Sequence, residues 1–243
     1  MNIGIIGSGE MGKCLAGKLT KLGHIVSIAN SRDPGSLQQV VGDTGAKAVT
    51  VEEATRNQEV IIVSIPLKNV SNLAKYFKDL PRDIAVADTG NYYPTLRDGE
   101  IKALNKSGVD TLWVQQQLGV SITKVFNSIL ATSLETMSSP KGNKDRIALP
   151  ISGDSIEAKR VISILVDELG FDAVDLGTIA QSWKQQPGSP IYCRDLKLEE
   201  MRARLASLTP DWQDMRDAIL AKRKADEALM ATDYPAYLKG LKT

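Results

Sequence analysis

The stretch Ile3-Gly4-Ile5-Ile6-Gly7-Ser8-Gly9-Glu10-Met11-Gly12 decides the fold. An apolar run stops at a glycine-rich turn, and Met11, Leu15, Leu19 and Leu22 then recur at the spacing of one helical face. In that order, buried strand, tight turn and helix, G-x-G-x-x-G reads as a dinucleotide-binding fingerprint. Gly7 makes the turn, Gly9 lets backbone amides approach a pyrophosphate, and Gly12 lets the helix pack on the strand. The N–H groups and dipole of the helix point at the anion. Gly7, Ser8, Gly9, Glu10, Met11 and Gly12 are therefore the first candidate cofactor residues.

Outward from this unit, strands and helices alternate as far as residue 175. Strands are expected at 2–6, 24–29, 46–50, 59–65, 83–87, 123–128, 146–151 and 171–175. Helices fit 10–22, 34–42, 68–79, 97–107, 111–118 and 155–169. The alternation predicts an α/β protein of the Rossmann type, with a doubly wound, mostly parallel sheet covered on both faces. The helix at 155–169 offers a capping box from Asp154 and Glu157 and a stop at Gly170. After Gly177 the character changes. Trp183-Lys184-Gln185-Gln186-Pro187-Gly188-Ser189-Pro190 can form neither a central strand nor a long helix. The segments 197–208 and 210–231 are rich in helix formers, with Trp212, Met215, Ile219 and Leu220 as an apolar stripe. The expected organisation is a nucleotide-binding domain over 1–177 and a loop with a helical extension over 178–243. The stripe packs either on the main domain or on a second subunit, the latter giving a homodimer through the C-terminal helices.

Composition narrows the partners. With 243 residues, 42% of them hydrophobic, the chain can bury a substantial core. Its 30 Lys and Arg against 29 Asp and Glu give no field that would steer it to nucleic acid or an anionic membrane. No apolar stretch reaches spanning length, and residue 3 already belongs to a strand, so a cytoplasmic protein acting on a small molecule is expected. Cys14 and Cys193 are too far apart to suggest a disulfide framework or a metal site; Cys14 reads as a small core residue. The single histidine, His24, precedes the second strand, at the end of the sheet opposite a cofactor, and a structural role is expected for it.

The second strand ends at Asn30-Ser31-Arg32, where NAD-binding members of this architecture place a carboxylate for the ribose 2′-hydroxyl. Here Ser31 can donate to a 2′-phosphate and Arg32 can pair with it by two parallel bonds, which favours NADP(H). Asp33, followed by Pro34, reads as a helix cap rather than a ribose acceptor. Three later strand ends can line the crevice: Ser64-Ile65-Pro66, Asp88-Thr89-Gly90-Asn91 and Phe126-Asn127-Ser128. From them Ser64, Ile65, Pro66, Asp88, Asn91 and Asn127 are taken as cofactor residues. Trp183, Gln186 and Tyr192 are candidates for the acceptor wall, through flat apolar faces and amide edges. Trp113 and Trp212 are read as packing residues.

Together, Ile3 to Gly12, Asn30-Ser31-Arg32, Val60 to Pro66, Ala87 to Asn91, Lys124 to Asn127, Ile151 to Asp154 and Phe171 to Gly177 resemble the NADP oxidoreductases that use the deazaflavin coenzyme F420. They resemble more distantly the cytosolic nucleotide domains of transmembrane ferric reductases. The resemblance covers roughly residues 1–177. It implies direct hydride exchange between NADPH and a flat conjugated acceptor, F420, a flavin or similar, in which positioning carries most of the catalysis. It also implies 2′-phosphate binding at Ser31 and Arg32 and pyrophosphate binding along Ser8 to Gly12. It names no catalytic residue and no metal. Two other readings stay open, a reductase similar to pyrroline-carboxylate reductases and a non-catalytic sensor of NADP(H).

Overall fold

The structure is a computed structural model; it describes residues 1–208 and 212–241, and for 212–216 the backbone only. Among the described residues, eight strands form one sheet in the order β3-β2-β1-β4-β5-β6-β7-β8. They are β1 (Asn2–Ile6), β2 (Ile25–Ala29), β3 (Lys47–Ala48), β4 (Val60–Val63), β5 (Ala85–Asp88), β6 (Thr123–Lys124), β7 (Ala148–Gly153) and β8 (Asp172–Asp175). The first six pair in parallel, β6 with β7 antiparallel, and β7 with β8 in parallel. Central strands buried on both faces need continuous apolar runs, and β4, Val-Ile-Ile-Val, is buried throughout.

Two helices follow the first two strands. Helix α1 (Glu10–Lys21) buries Gly12, Leu15, Ala16 and Leu19, each leucine contributing about 1.5–3 kcal/mol relative to exposure. Leu22, expected on the same face, lies beyond the helix end and is 47% exposed; Met11 is only half-buried, at the cleft. A short 3₁₀ turn at Pro34–Leu37 leads into α2 (Gln38–Thr44), and the Asp33 carboxylate accepts from the Gly35 N–H, as the cap reading expects. His24 sits at the amino ends of the strands, bridging the Met1 amine and Glu168. Cys14 is half-buried against the core.

The remaining helices are α3 (Val51–Thr55), α4 (Ala74–Phe77), α5 (Lys102–Ser107), α6 (Asp110–Leu118), α7 (Ala131–Thr136), α8 (Ile156–Glu168), α9 (Leu198–Ala206), α10 (Trp212–Thr232) and α11 (Tyr234–Leu241). The expected capping of α8 is corrected. Ser155 is its cap and accepts from the Ala158 N–H, while Asp154 turns away to accept from the Ile179 N–H. The expected helix at 97–107 divides into a π-helical turn, Pro94–Asp98, and α5, because Gly99 interrupts it with a φ of 71°.

The segment 183–190 begins inside a 3₁₀ turn, Ile179–Gln185, and packs beneath α10. A Cβ at Gly188 would overlap the Ile219 carbonyl oxygen, so α10 crosses the loop at backbone contact distance. Ile219 packs on Val109 and Trp183. Arg223 makes a buried ion pair with Asp110, both Nη atoms lying 3.2 Å from Oδ1. The Ile219 face offered by the sequence as a subunit contact is thus covered within the chain; the side chains of Trp212 and Met215 lie outside the described residues. Trp113 is a core residue, as expected. No helix of the described residues is long and apolar enough to cross a membrane.

Candidate active site

The carboxyl ends of β1, β2, β4, β5 and β6 open onto two adjoining cavities. One, of about 360 Å³, is lined by Ile6 to Gly9, Asn30, Ser31, Val51, Ser64 to Pro66, Asn69, Asn72 and Leu73. The other, of about 350 Å³, is lined by Gly9 to Met11, Ser64 to Pro66, Thr89 to Asn91, Arg97, Phe126, Asn127, Ile129 to Ala131, Tyr192 and Cys193. Gly9, Ser64, Ile65 and Pro66 line both, so the two cavities lie side by side along the strand ends, one at the β2 turn and the other at the ends of β5 and β6.

The three fingerprint glycines differ physically. Gly7 has a φ of 124°, and a Cβ there would overlap the Ser64 carbonyl oxygen. A Cβ on Gly12 would overlap the Gly7 carbonyl oxygen. A Cβ on Gly9 meets nothing within 4 Å, so no protein contact requires glycine there. The open space beside it fits a pyrophosphate approached by backbone N–H groups.

At the β2 turn the Asn30 side chain organises the backbone, accepting from the Arg32 N–H at 2.8 Å and donating to Ser36 Oγ at 3.1 Å. Asn30 and Ser31 line the cavity and Arg32 is exposed beside them. That arrangement leaves a hydroxyl and a guanidinium available to one anion.

At the other end, β5 turns through Asp88-Thr89-Gly90-Asn91. Asp88, expected at the cofactor, is corrected: its side chain is 1% exposed and lies behind the turn. Its Oδ2 accepts from Lys124 Nζ at 2.8 Å and its Oδ1 from the Gly90 N–H at 2.8 Å, while Lys124 also donates to the Gly90 carbonyl. This buried pair fixes the turn from beneath. Asn91 and Asn127 do reach the cleft, locked face to face: Asn127 Nδ2 donates to Asn91 Oδ1 at 3.0 Å, and Asn91 Nδ2 to the Asn127 carbonyl at 3.0 Å.

Of the three acceptor-wall candidates, only Tyr192 lines the cleft. Trp183 and Gln186 are corrected. Trp183 is buried with Val109 and Ile219, and Gln186 is a buried tie that donates to the Gly108 carbonyl at 2.8 Å and accepts from the Asp110 N–H at 3.4 Å. Tyr192 Oη lies 2.5 Å from Tyr93 Oη and 3.1 Å from Asn91 Nδ2. Burial holds both tyrosine hydroxyls well above the ordinary phenol range and pushes the Cys193 thiol up to about 12, so all three stay protonated.

Sequence reasoning missed three residues here. Arg97 lines the cleft from the π-helical turn, its side chain 37% exposed, paired with Asp98 at 3.0 Å and lying over the Tyr93 ring. Glu227 of α10 holds that turn by accepting from the Thr95 N–H and hydroxyl. Lys124 is the third, and an ionisable residue inside a β-strand reading was the available signal for it.

Residues 2–92 match the family described as NADP oxidoreductase, coenzyme F420-dependent. YjhV of Escherichia coli (strain K12) is 38% identical over 99 residues, which cover 32% of this chain and 72% of that protein. Metalloreductase STEAP3 of Rattus norvegicus is 28% identical over 181 residues, 74% of this chain but only 34% of the metalloreductase. Among solved structures, protein SMa0349 of Sinorhizobium meliloti superposes with a TM-score of 0.68 at 29% identity, covering 81% of this chain and 95% of that one. A protein described as an F420-dependent NADP reductase from Arthrobacter sp. FB24 shares the fold, with a TM-score of 0.63 at 21% identity over 75% of this chain and 87% of its own. The chain is an NADP-dependent oxidoreductase and belongs, through residues 2–92, to the family of F420-dependent NADP oxidoreductases.

Proposed function

We propose that the crevice holds NADPH at full length and that hydride passes to a flat conjugated acceptor, a deazaflavin of the F420 kind or a flavin. The 2′-phosphate is held by Ser31 and Arg32, and the pyrophosphate by the backbone of Ser8 to Gly12. The nicotinamide lies against Ile65 and Pro66, within reach of the Asn91 and Asn127 amides. Residues 1–177 form the nucleotide half, and 178–243 supply the far wall through Tyr192 and Cys193. The observation that carries this reading is the adjacency of the two cavities, which share Gly9, Ser64, Ile65 and Pro66 as lining residues. The nicotinamide end is walled by apolar side chains, hydroxyls and amides, with Arg97 and the Glu10 carboxylate as its charged lining residues. Such a wall suits a reaction governed by stacking and distance between donor and acceptor carbons.

The test is NADPH oxidation followed at 340 nm with F420, flavin mononucleotide and riboflavin as acceptors. Turnover with at least one of them is expected. Binding of NADPH without turnover across the set would contradict hydride transfer to this class and favour a nucleotide sensor.

A further inference from the structure

Resting on that hydride reading, we propose that Tyr192 is the proton donor of the site, resupplied by Tyr93, and that the enzyme thereby also reduces conjugated carbonyl compounds such as quinones and 1,2-dicarbonyls. A phenol oxygen carries one donor and accepts two hydrogen bonds. The Asn91 amide cannot be turned over, because Asn127 Nδ2 points at its Oδ1 while its own Nδ2 reaches the Asn127 carbonyl. Its NH₂ therefore faces Tyr192 Oη, which must accept there. Tyr93 Oη finds Tyr192 Oη as its hydrogen-bonding partner among the described residues. If Tyr93 donates, the Tyr192 oxygen has accepted twice and its own hydrogen turns either to the adjacent Cys193 thiol or to an acceptor oxygen in the cleft that Tyr192 and Cys193 line. If the bond runs the other way, Tyr192 spends its hydrogen on Tyr93 and the half-buried Tyr93 hydroxyl turns its own to solvent; an acceptor oxygen in the cleft selects the first arrangement. The first arrangement satisfies the pair as soon as an acceptor oxygen occupies the cleft.

The step balances. Hydride leaves the nicotinamide C4 of NADPH and forms a C–H bond on the acceptor, or adds at its conjugated terminus, while the carbonyl π electrons move to oxygen. That oxygen takes the proton of Tyr192, Tyr192 takes that of Tyr93, and half-buried Tyr93 is reprotonated from solvent. One NADPH and one proton are consumed for each carbonyl reduced. The donor matters in proportion to the basicity of the reduced oxygen. A reduced flavin persists as an anion near neutrality and needs no proton during transfer, whereas a quinone or dicarbonyl oxygen does.

The experiment compares wild type, Tyr192→Phe and Tyr93→Phe as full-length proteins, with 9,10-phenanthrenequinone and with flavin mononucleotide. Tyr192→Phe is expected to lower kcat for the quinone by about 100-fold or more, within the range for loss of a general acid. NADPH affinity stays unchanged, flavin reduction falls less than about tenfold, and the solvent deuterium isotope effect on quinone reduction disappears. Tyr93→Phe, which leaves the Tyr192 wall in place, is expected to shift the two acceptors in the same sense by a smaller factor. Equal losses on both acceptors, or none on either, in an active enzyme would overturn the tyrosine role alone. A wild type inert to both acceptors would overturn the hydride reading and this inference with it.

Discussion

Replacing Gly9 by alanine is expected to leave the protein folded and to weaken its affinity for NADPH, whereas Gly12→Ala is expected to damage both. At Gly9 an added methyl meets no protein atom within 4 Å, and its φ of −72° is one any residue adopts. The unfolding midpoint should therefore shift by no more than a surface substitution does, about 0.5 kcal/mol. The methyl instead stands in the space assigned to the pyrophosphate, and a loss of about 100-fold in affinity, close to 2.7 kcal/mol, is the expected scale. At Gly12 the methyl would overlap the Gly7 carbonyl oxygen, well inside 3.0 Å. Helix α1 must move off β1 to admit it, at about 1–3 kcal/mol, and its amino terminus moves with it. Thermal unfolding beside calorimetric titration of NADPH separates the two. A Gly9→Ala protein that binds NADPH like wild type would place the phosphates elsewhere.

The second large effect lies beneath the site. Lys124→Met is expected to destabilise the fold by about 3–5 kcal/mol, because it leaves the Asp88 carboxylate buried without its cation. For a chain of this size each kcal/mol moves the midpoint by roughly 2–4 °C. The double variant Asp88→Asn, Lys124→Met should recover most of that loss. The introduced amide keeps an oxygen for the Gly90 N–H, and the two opposite charges are removed together. Chemical denaturation of wild type and the two variants checks this, and a single variant as stable as wild type would show that the pair does not hold the turn.

The sheet was legible because its signals are local. Continuous apolar runs place the strands, and Asp33-Pro34 marks a helix start that the structure repeats. Where the reading failed, the deciding contact is distant in sequence. Asp88 looks like a polar strand end until Lys124, 36 residues on, is seen to bury it. Trp183 and Gln186 look like a ligand wall until α10 closes over Trp183 and α6 takes the Gln186 amide. Helix α3 is too short for periodicity to reveal, yet Thr50 and Glu53 form a capping box that marks its start. Arg97 enters the cleft only because a π-helical turn, held by Glu227 from the far end of the chain, redirects it.

Calorimetric titration of NADPH and NADH into wild type and Arg32→Ala tests most directly whether this crevice selects a nucleotide carrying a 2′-phosphate. NADPH should bind wild type more tightly than NADH. Arg32→Ala should weaken NADPH by about 10–100-fold, as loss of a charge-assisted bond of about 1.5–3 kcal/mol requires, and leave NADH nearly unchanged. Equal affinities for the two nucleotides in wild type, or equal losses in the variant, would contradict it.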